Sequence, residues 1–141
     1  MAKTLRVLAL VMGIGCALIA LYHLAIGQAS VPGAGAATAT IDSRERFYSA
    51  IFFGFGLAWI WAARQTPIPS TVIRVLSGVF LLGGVGRLIS LADLGSPHWL
   101  QVSEMVVELL LPPLFLWLSA ADERERSAHP ARAGENRASA A

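Results

Sequence analysis

Four apolar runs constrain this chain more than any other feature: Val7–Ile26, Phe47–Ala63, Val72–Leu94 and Trp99–Leu118. At 1.5 Å rise per residue, a helix over the first run covers a hydrocarbon core of about 30 Å. The second run is shorter. Asp42, followed three residues on by Glu45, has the pattern of a capping box and adds a turn before Phe47. Within lipid every backbone N–H and C=O must be satisfied internally, which leaves only helices or closed barrels. The runs lack the period-two alternation of barrel strands and therefore read as helices. Composition agrees. Charged residues make up 14% of the chain and hydrophobic residues 55%. A soluble globule of 141 residues could not bury that much apolar surface. The sequence predicts an all-α integral membrane protein: an antiparallel four-helix bundle with spans at about 5–27, 43–63, 71–93 and 98–119. Residues 1–119 make up that domain. Residues 120–141, polar and charged with both signs, read as a disordered cytoplasmic tail.

Lys3 and Arg6 ahead of the first run also suit a cleaved signal peptide, but the run outlasts the roughly 7–15 apolar residues of such a segment. It is read as a retained span. Orientation follows from the basic residues. Lys3, Arg6, Arg64, Arg74, Arg124 and Arg126 flank one side of the spans, against Arg44 and Arg46 on the other. The positive-inside rule then puts both termini in the cytoplasm, in the cell membrane. Tyr22, Tyr48 and Trp99 are expected at the outer interface, and Trp59, Trp61 and Trp117 at the inner one. The first outer loop, residues 27–41, is rich in Ala, Gly and Thr and reads as flexible, and Pro67-Ile68-Pro69 reads as a break between helices.

Polar residues inside the spans carry the functional information. Counting from the outer end of each span, His23 lies about one turn inside the first helix and Arg46 at the outer start of the second. Arg87 lies nearly two turns inside the third. Gln101, Glu104 and Glu108 stand at i, i+3 and i+7 on one face of the fourth helix. An unpaired charge at mid-bilayer costs at least ~2.5–3.5 kcal/mol, so such residues face the bundle interior. Arg46 and Arg87 formally balance Glu104 and Glu108, and all four are expected to pair. Two carboxylates one turn apart repel each other, and the Arg87 fork is the natural bridge between them. Pro112-Pro113 should kink the fourth helix and leave the Glu108 and Leu109 carbonyls without N–H partners. Gly54, Gly56 and Ala58 in the second helix, with Gly83, Gly84 and Gly86 in the third, permit close helix approach. Cys16, the single cysteine, sits deep in an apolar helix and reads as packing.

Asp42-Ser43-Arg44-Glu45-Arg46-Phe47-Tyr48, then Gly54-Phe55-Gly56, Gly83 to Ser90 and Glu108 to Pro113, give the chain a recognisable order of motifs. It resembles the small four-helix bacterial membrane proteins catalogued as domain of unknown function 4345, over roughly residues 5–120. In that pattern an arginine precedes an aromatic pair, another lies in the third helix, and a glutamate stands ahead of prolines. Here these are Arg46, Arg87 and Glu108. The resemblance implies a four-helix membrane fold and supplies no activity.

The leading expectation is a membrane scaffold or accessory protein in which the charged cluster specifies helix packing. One alternative is a pocket at Glu104 and Glu108, with His23, that binds or moves a small solute or a proton. Another is an enzyme acting on a lipid-soluble substrate, with Glu108 as acid or base. Catalysis is the less expected of these, since no Ser-His-Asp set is visible. A di-iron bundle wants Glu-x-x-His, but Glu108 is followed three residues on by Leu111. His23 with two glutamates has metal-ligand chemistry, yet no metal and no other cofactor is expected. The expected surroundings are the lipid bilayer, with a second copy or another membrane protein as the open partner question. The basic flanks suit anionic headgroups rather than nucleic acid.

Overall fold

The computed structural model of the chain describes the backbone of residues 1–138 and side chains as far as residue 128. It contains four long helices: α1 (Ala2–Ile26), α2 (Ala39–Arg64), α3 (Ser70–Leu94) and α4 (Trp99–Ala138). A short 3-10 turn, Gly27–Ser30, follows α1, and no strand occurs among the described residues. All four helices are long and apolar enough to cross a membrane. Val7, Val11, Leu18, Val75, Leu82 and Leu110 leave much of their surface uncovered, as apolar side chains facing lipid would.

Successive helices run antiparallel. Arg6, near the start of α1, reaches the carbonyl of Gln65 just past the end of α2, and Arg74 near the start of α3 pairs with Glu123 far along α4. The helices associate as two hairpins: α1 packs along α2 and α3 along α4, while contact between the pairs is sparse. Small residues set each hairpin. A Cβ on Gly56 would lie 2.7 Å from the Ala17 nitrogen and 2.8 Å from the Gly13 carbonyl oxygen, so these backbones nearly touch. Gly84 plays the same part in the second hairpin, where a Cβ would lie 3.0 Å from Leu109 Cδ2 and from Glu108 Cβ. Gly54 and Gly86, grouped with these by the sequence pattern, face open space.

The two hairpins meet mainly at one end, where α1 and α3 begin. Leu5, Met12, Trp59, Ile73, Phe80 and Phe115 belong to the buried cluster there. Trp59 is fully buried, with its ring 4.5 Å from that of Phe115. It belongs to the core and not to the interfacial belt that its position in the sequence suggested. Its large apolar area fills the junction of α2 with α4, which outweighs an interfacial seat for the indole. Away from this end the hairpins diverge, and residues 93–100 are exposed.

Two of the three interhelical connections are clamped by side chains. At the terminal end Arg6 donates to the Gln65 carbonyl at 3.0 Å and to Thr66 Oγ1 at 3.1 Å. Arg126 donates to Ser70 Oγ at 3.0 Å and pairs with Asp122 at 3.1 Å. At the other end, helix α2 begins earlier than a capping box at Asp42 would have it. Thr38 is the N-cap and accepts from the Ile41 N–H at 3.3 Å. Asp42 lies inside the first turn, where a carboxylate suits the positive end of the helix dipole. It accepts from the Gln28 N–H at 2.9 Å and from Arg46 Nε at 2.8 Å. The Gln28 side chain is buried and satisfies the intervening loop, taking the Thr38 N–H at 3.1 Å. A loop expected to be flexible is therefore pinned from inside.

Helix α4 continues past the end of its apolar run. The sequence predicts disorder from residue 120, yet the helix goes on through Asp122 and Ser127. Ion pairs hold it: Asp122 with Arg126, Glu123 with Arg74, and Glu125 with the Met1 ammonium at 2.7 Å. For residues 129–141 of that expected tail, no side chain is described, and 139–141 lie outside the described residues altogether. The helical backbone also continues through Pro112-Pro113, and Pro112 is fully buried.

Two substitutions test these contacts. Gly56→Val should push α1 from α2 and cost about 1–3 kcal/mol, the usual range for overpacking, seen as a lower unfolding midpoint in detergent micelles. Gly27 has φ +69°, and a Cβ there would lie 1.9 Å from Asp42 Oδ1. Gly27→Ala should lose about 1–3 kcal/mol through that clash and the left-handed backbone together, with protease sensitivity rising in the 27–38 segment.

Candidate functional site

Because the hairpins diverge, a cleft of about 910 Å³ runs between them, with every helix contributing to its walls. Most of the lining is apolar, including Met12 and Cys16 from α1, Phe52 and Phe55 from α2, Phe80 from α3 and Leu111 from α4. The end nearest the buried core is closed by aromatic packing: Phe55 stacks on Phe80 at 6.0 Å, and Phe115 also lines the wall.

The opposite end is polar. Arg87 extends from α3 toward α4, with Nη2 2.8 Å from Glu104 Oε2 and Nε 2.9 Å from Glu108 Oε2. One guanidinium thus spans two carboxylates a turn apart, which relieves their mutual repulsion. Both contacts are ion pairs, and Glu108 Oε2 is enclosed. Exposure falls inward along this face, from 32% for the Glu104 side chain to 12% for Glu108. Gly83 lies beside the pair, and a Cβ on it would meet the Glu108 carboxylate at an ordinary van der Waals distance of 3.8 Å.

Across the cleft stand His23 and Glu45. His23 Nδ1 lies 2.6 Å from Ser30 Oγ and 3.6 Å from Glu45 Oε1. Ser30 donates its only proton to the Gly27 carbonyl at 2.6 Å, so it accepts from His23. The Ser30 hydroxyl thus ties the His23 ring to the end of α1, with the ring facing Glu45. A smaller cavity of about 470 Å³ adjoins this end between α1 and α4, lined by Tyr22, Val31, Leu100 and Gln101 together with His23 and Glu104.

Five of the six candidate residues, His23, Arg87, Gln101, Glu104 and Glu108, line the main cleft. Arg46 does not. It pairs with Asp42 and donates through Nη1 to the carbonyls of Leu24 at 2.6 Å and Ala25 at 3.2 Å. The expected four-way pairing of Arg46 and Arg87 with Glu104 and Glu108 is thereby corrected: Arg46 has a carboxylate one turn back and free carbonyls at the end of α1 nearer to hand. Glu45 was missed as a lining residue because its place in the capping pattern gave it another role. Its spacing from Ser49 and Phe52, i, i+4 and i+7, is the signal that puts all three on one face. No group of three or more His, Cys, Asp or Glu side chains suited to a metal ion occurs among the described residues.

No curated protein and no solved structure matches the chain. A family model does, over residues 4–119, which takes in all four apolar runs and every residue of the cleft. On that match the chain belongs to the family described as "Domain of unknown function (DUF4345)".

Proposed function

We propose that this protein binds a lipid-soluble small molecule in the cleft between its two helical hairpins. The observation that carries the reading is one cleft of about 910 Å³ with an apolar body and a charged end drawn from three helices. Binding sites for small molecules are built in this way, with many apolar walls and a few polar groups that fix orientation. A scaffold whose charges only specify packing would be better served by a cluster sealed between helices. Here the Arg87 side chain keeps 37% of its surface exposed, on the wall of a space large enough for a ligand. Small-solute or proton movement past Glu104 and Glu108 remains the second reading, and the graded exposure from Glu104 to Glu108 favours it.

We further propose a multi-pass protein of the cell membrane with both termini on the cytoplasmic side. The excess of Lys and Arg around the terminal end of the bundle supports that orientation. The polar end of the cleft would then open in the leaflet away from the cytoplasm.

Gly15 offers a clean test, since it lines the cleft and a Cβ there meets nothing within 4 Å. Gly15→Leu should fold normally, because the new side chain projects into open space. It should retain a bound molecule about tenfold less well, a loss of ~1.4 kcal/mol. Native mass spectrometry of protein released from nanodiscs of cell-derived lipid reads this as loss of an adduct peak. Equal adducts in both proteins, or none in the parent, would overturn the reading.

A further inference from the structure

The polar end of the cleft is not neutral. Glu45, Glu104 and Glu108 line it, faced by the basic side chains of Arg87 and His23. Arg46 is committed to Asp42 and to the carbonyls ending α1. His23 Nδ1 stands 3.6 Å from Glu45 Oε1. Formally, three carboxylates face one guanidinium and one imidazole, so acidic side chains outnumber basic ones beside an apolar chamber. Such an excess is costly in surroundings of low dielectric.

Donors are as scarce as positive charge. Arg87 directs two of its nitrogens to the carboxylates already there, and among the described residues no other side chain donates a hydrogen bond to them. What the site lacks is a cation that brings N–H donors. From this charge complementarity we infer that the cleft takes a lipophilic amine: a hydrocarbon body along Phe52, Phe80 and Leu111, with a protonated amino group among Glu45, Glu104 and Glu108. An anionic head would meet net repulsion, and a neutral hydroxyl head would leave the excess charge uncompensated. The inference rests on the reading of the cleft as a ligand site and specifies the head group that reading leaves open.

Head-group selectivity tests it on the full-length protein in nanodiscs. Three photoreactive probes share one diazirine-bearing dodecyl chain and end in an amine, an alcohol or a carboxylate. Each is added at low mole fraction, and labelled peptides are mapped by mass spectrometry. The amine should label the cleft peptides, residues 79–87 and 100–111, about tenfold more than either analogue, the gain expected of a charge-assisted contact. Glu104→Gln should remove most of that preference while alcohol labelling stays level. Glu45→Gln, on the other hairpin and outside the Arg87 pairing, should lower it independently, so a folding defect in one variant does not decide the result. Equal labelling by all three probes, or preference for the carboxylate, would overturn the amine assignment and leave a binding cleft standing. Absence of cleft labelling by any probe would overturn both.

Discussion

An arginine that must not face hydrocarbon governs the second hairpin. Arg87 lies within the apolar stretch of α3, where a bare guanidinium in lipid is excluded on energetic grounds. It finds two carboxylates on α4, and finding them dictates the rotation of both helices: α3 must turn Arg87 inward, and α4 must turn Glu104 and Glu108 to meet it. Gly84 sits beside this contact, and its lack of a side chain lets the helices come close enough for the ion pairs to form. The charges therefore fix orientation, and the glycine fixes distance. The first hairpin reaches a similarly close approach through Gly13 and Gly56.

The chain is also tied at both ends of the bundle, by different devices. At the terminal end two arginines from α1 and α4 hold the turn between α2 and α3, which joins the hairpins firmly there. At the far end the clamp made by Gln28, Asp42 and Arg46 acts within the first hairpin alone. Nothing equivalent links the turn between α3 and α4 to its neighbours among the described residues. The asymmetry of clamping matches the asymmetry of packing: Trp59, Phe80 and Phe115 fill one end, and the other holds a cleft.

Much of this fold can be read in the sequence, for a reason particular to apolar chains. Each run long enough to cross a bilayer has one secondary structure open to it, so the four helices follow from run length. The meeting of Arg87 with Glu104 and Glu108 is legible as well, because i, i+4 spacing places the two carboxylates on one face and few other partners exist at that depth. Arg46 is harder to read. Its partners include the Leu24 and Ala25 carbonyls, which become acceptors only because α1 ends where it does, and backbone acceptors leave no trace in residue type. Trp59 misleads for a related reason: an indole near a span end suits an interface or a core equally, and tertiary packing decides. Past residue 119, composition favours disorder, but Arg74 and the Met1 ammonium supply partners that only the fold brings near.

The cleft itself belongs to no single element and could not have been read from one. It is what remains when two internally well-packed hairpins share a core at one end only. Extending that core would require large apolar side chains on the facing surfaces beyond Phe80 and Phe115. Instead α3 carries Gly83 and then Arg87 there, while α4 carries Glu108 and Glu104. These residues cannot interdigitate with the opposite hairpin as leucines would, and their charges oppose closure that removes them from any polar contact. The side chains that hold α3 to α4 thus also keep α1 and α2 at a distance. In this arrangement the stability of one hairpin and the openness of the space between the two have the same cause.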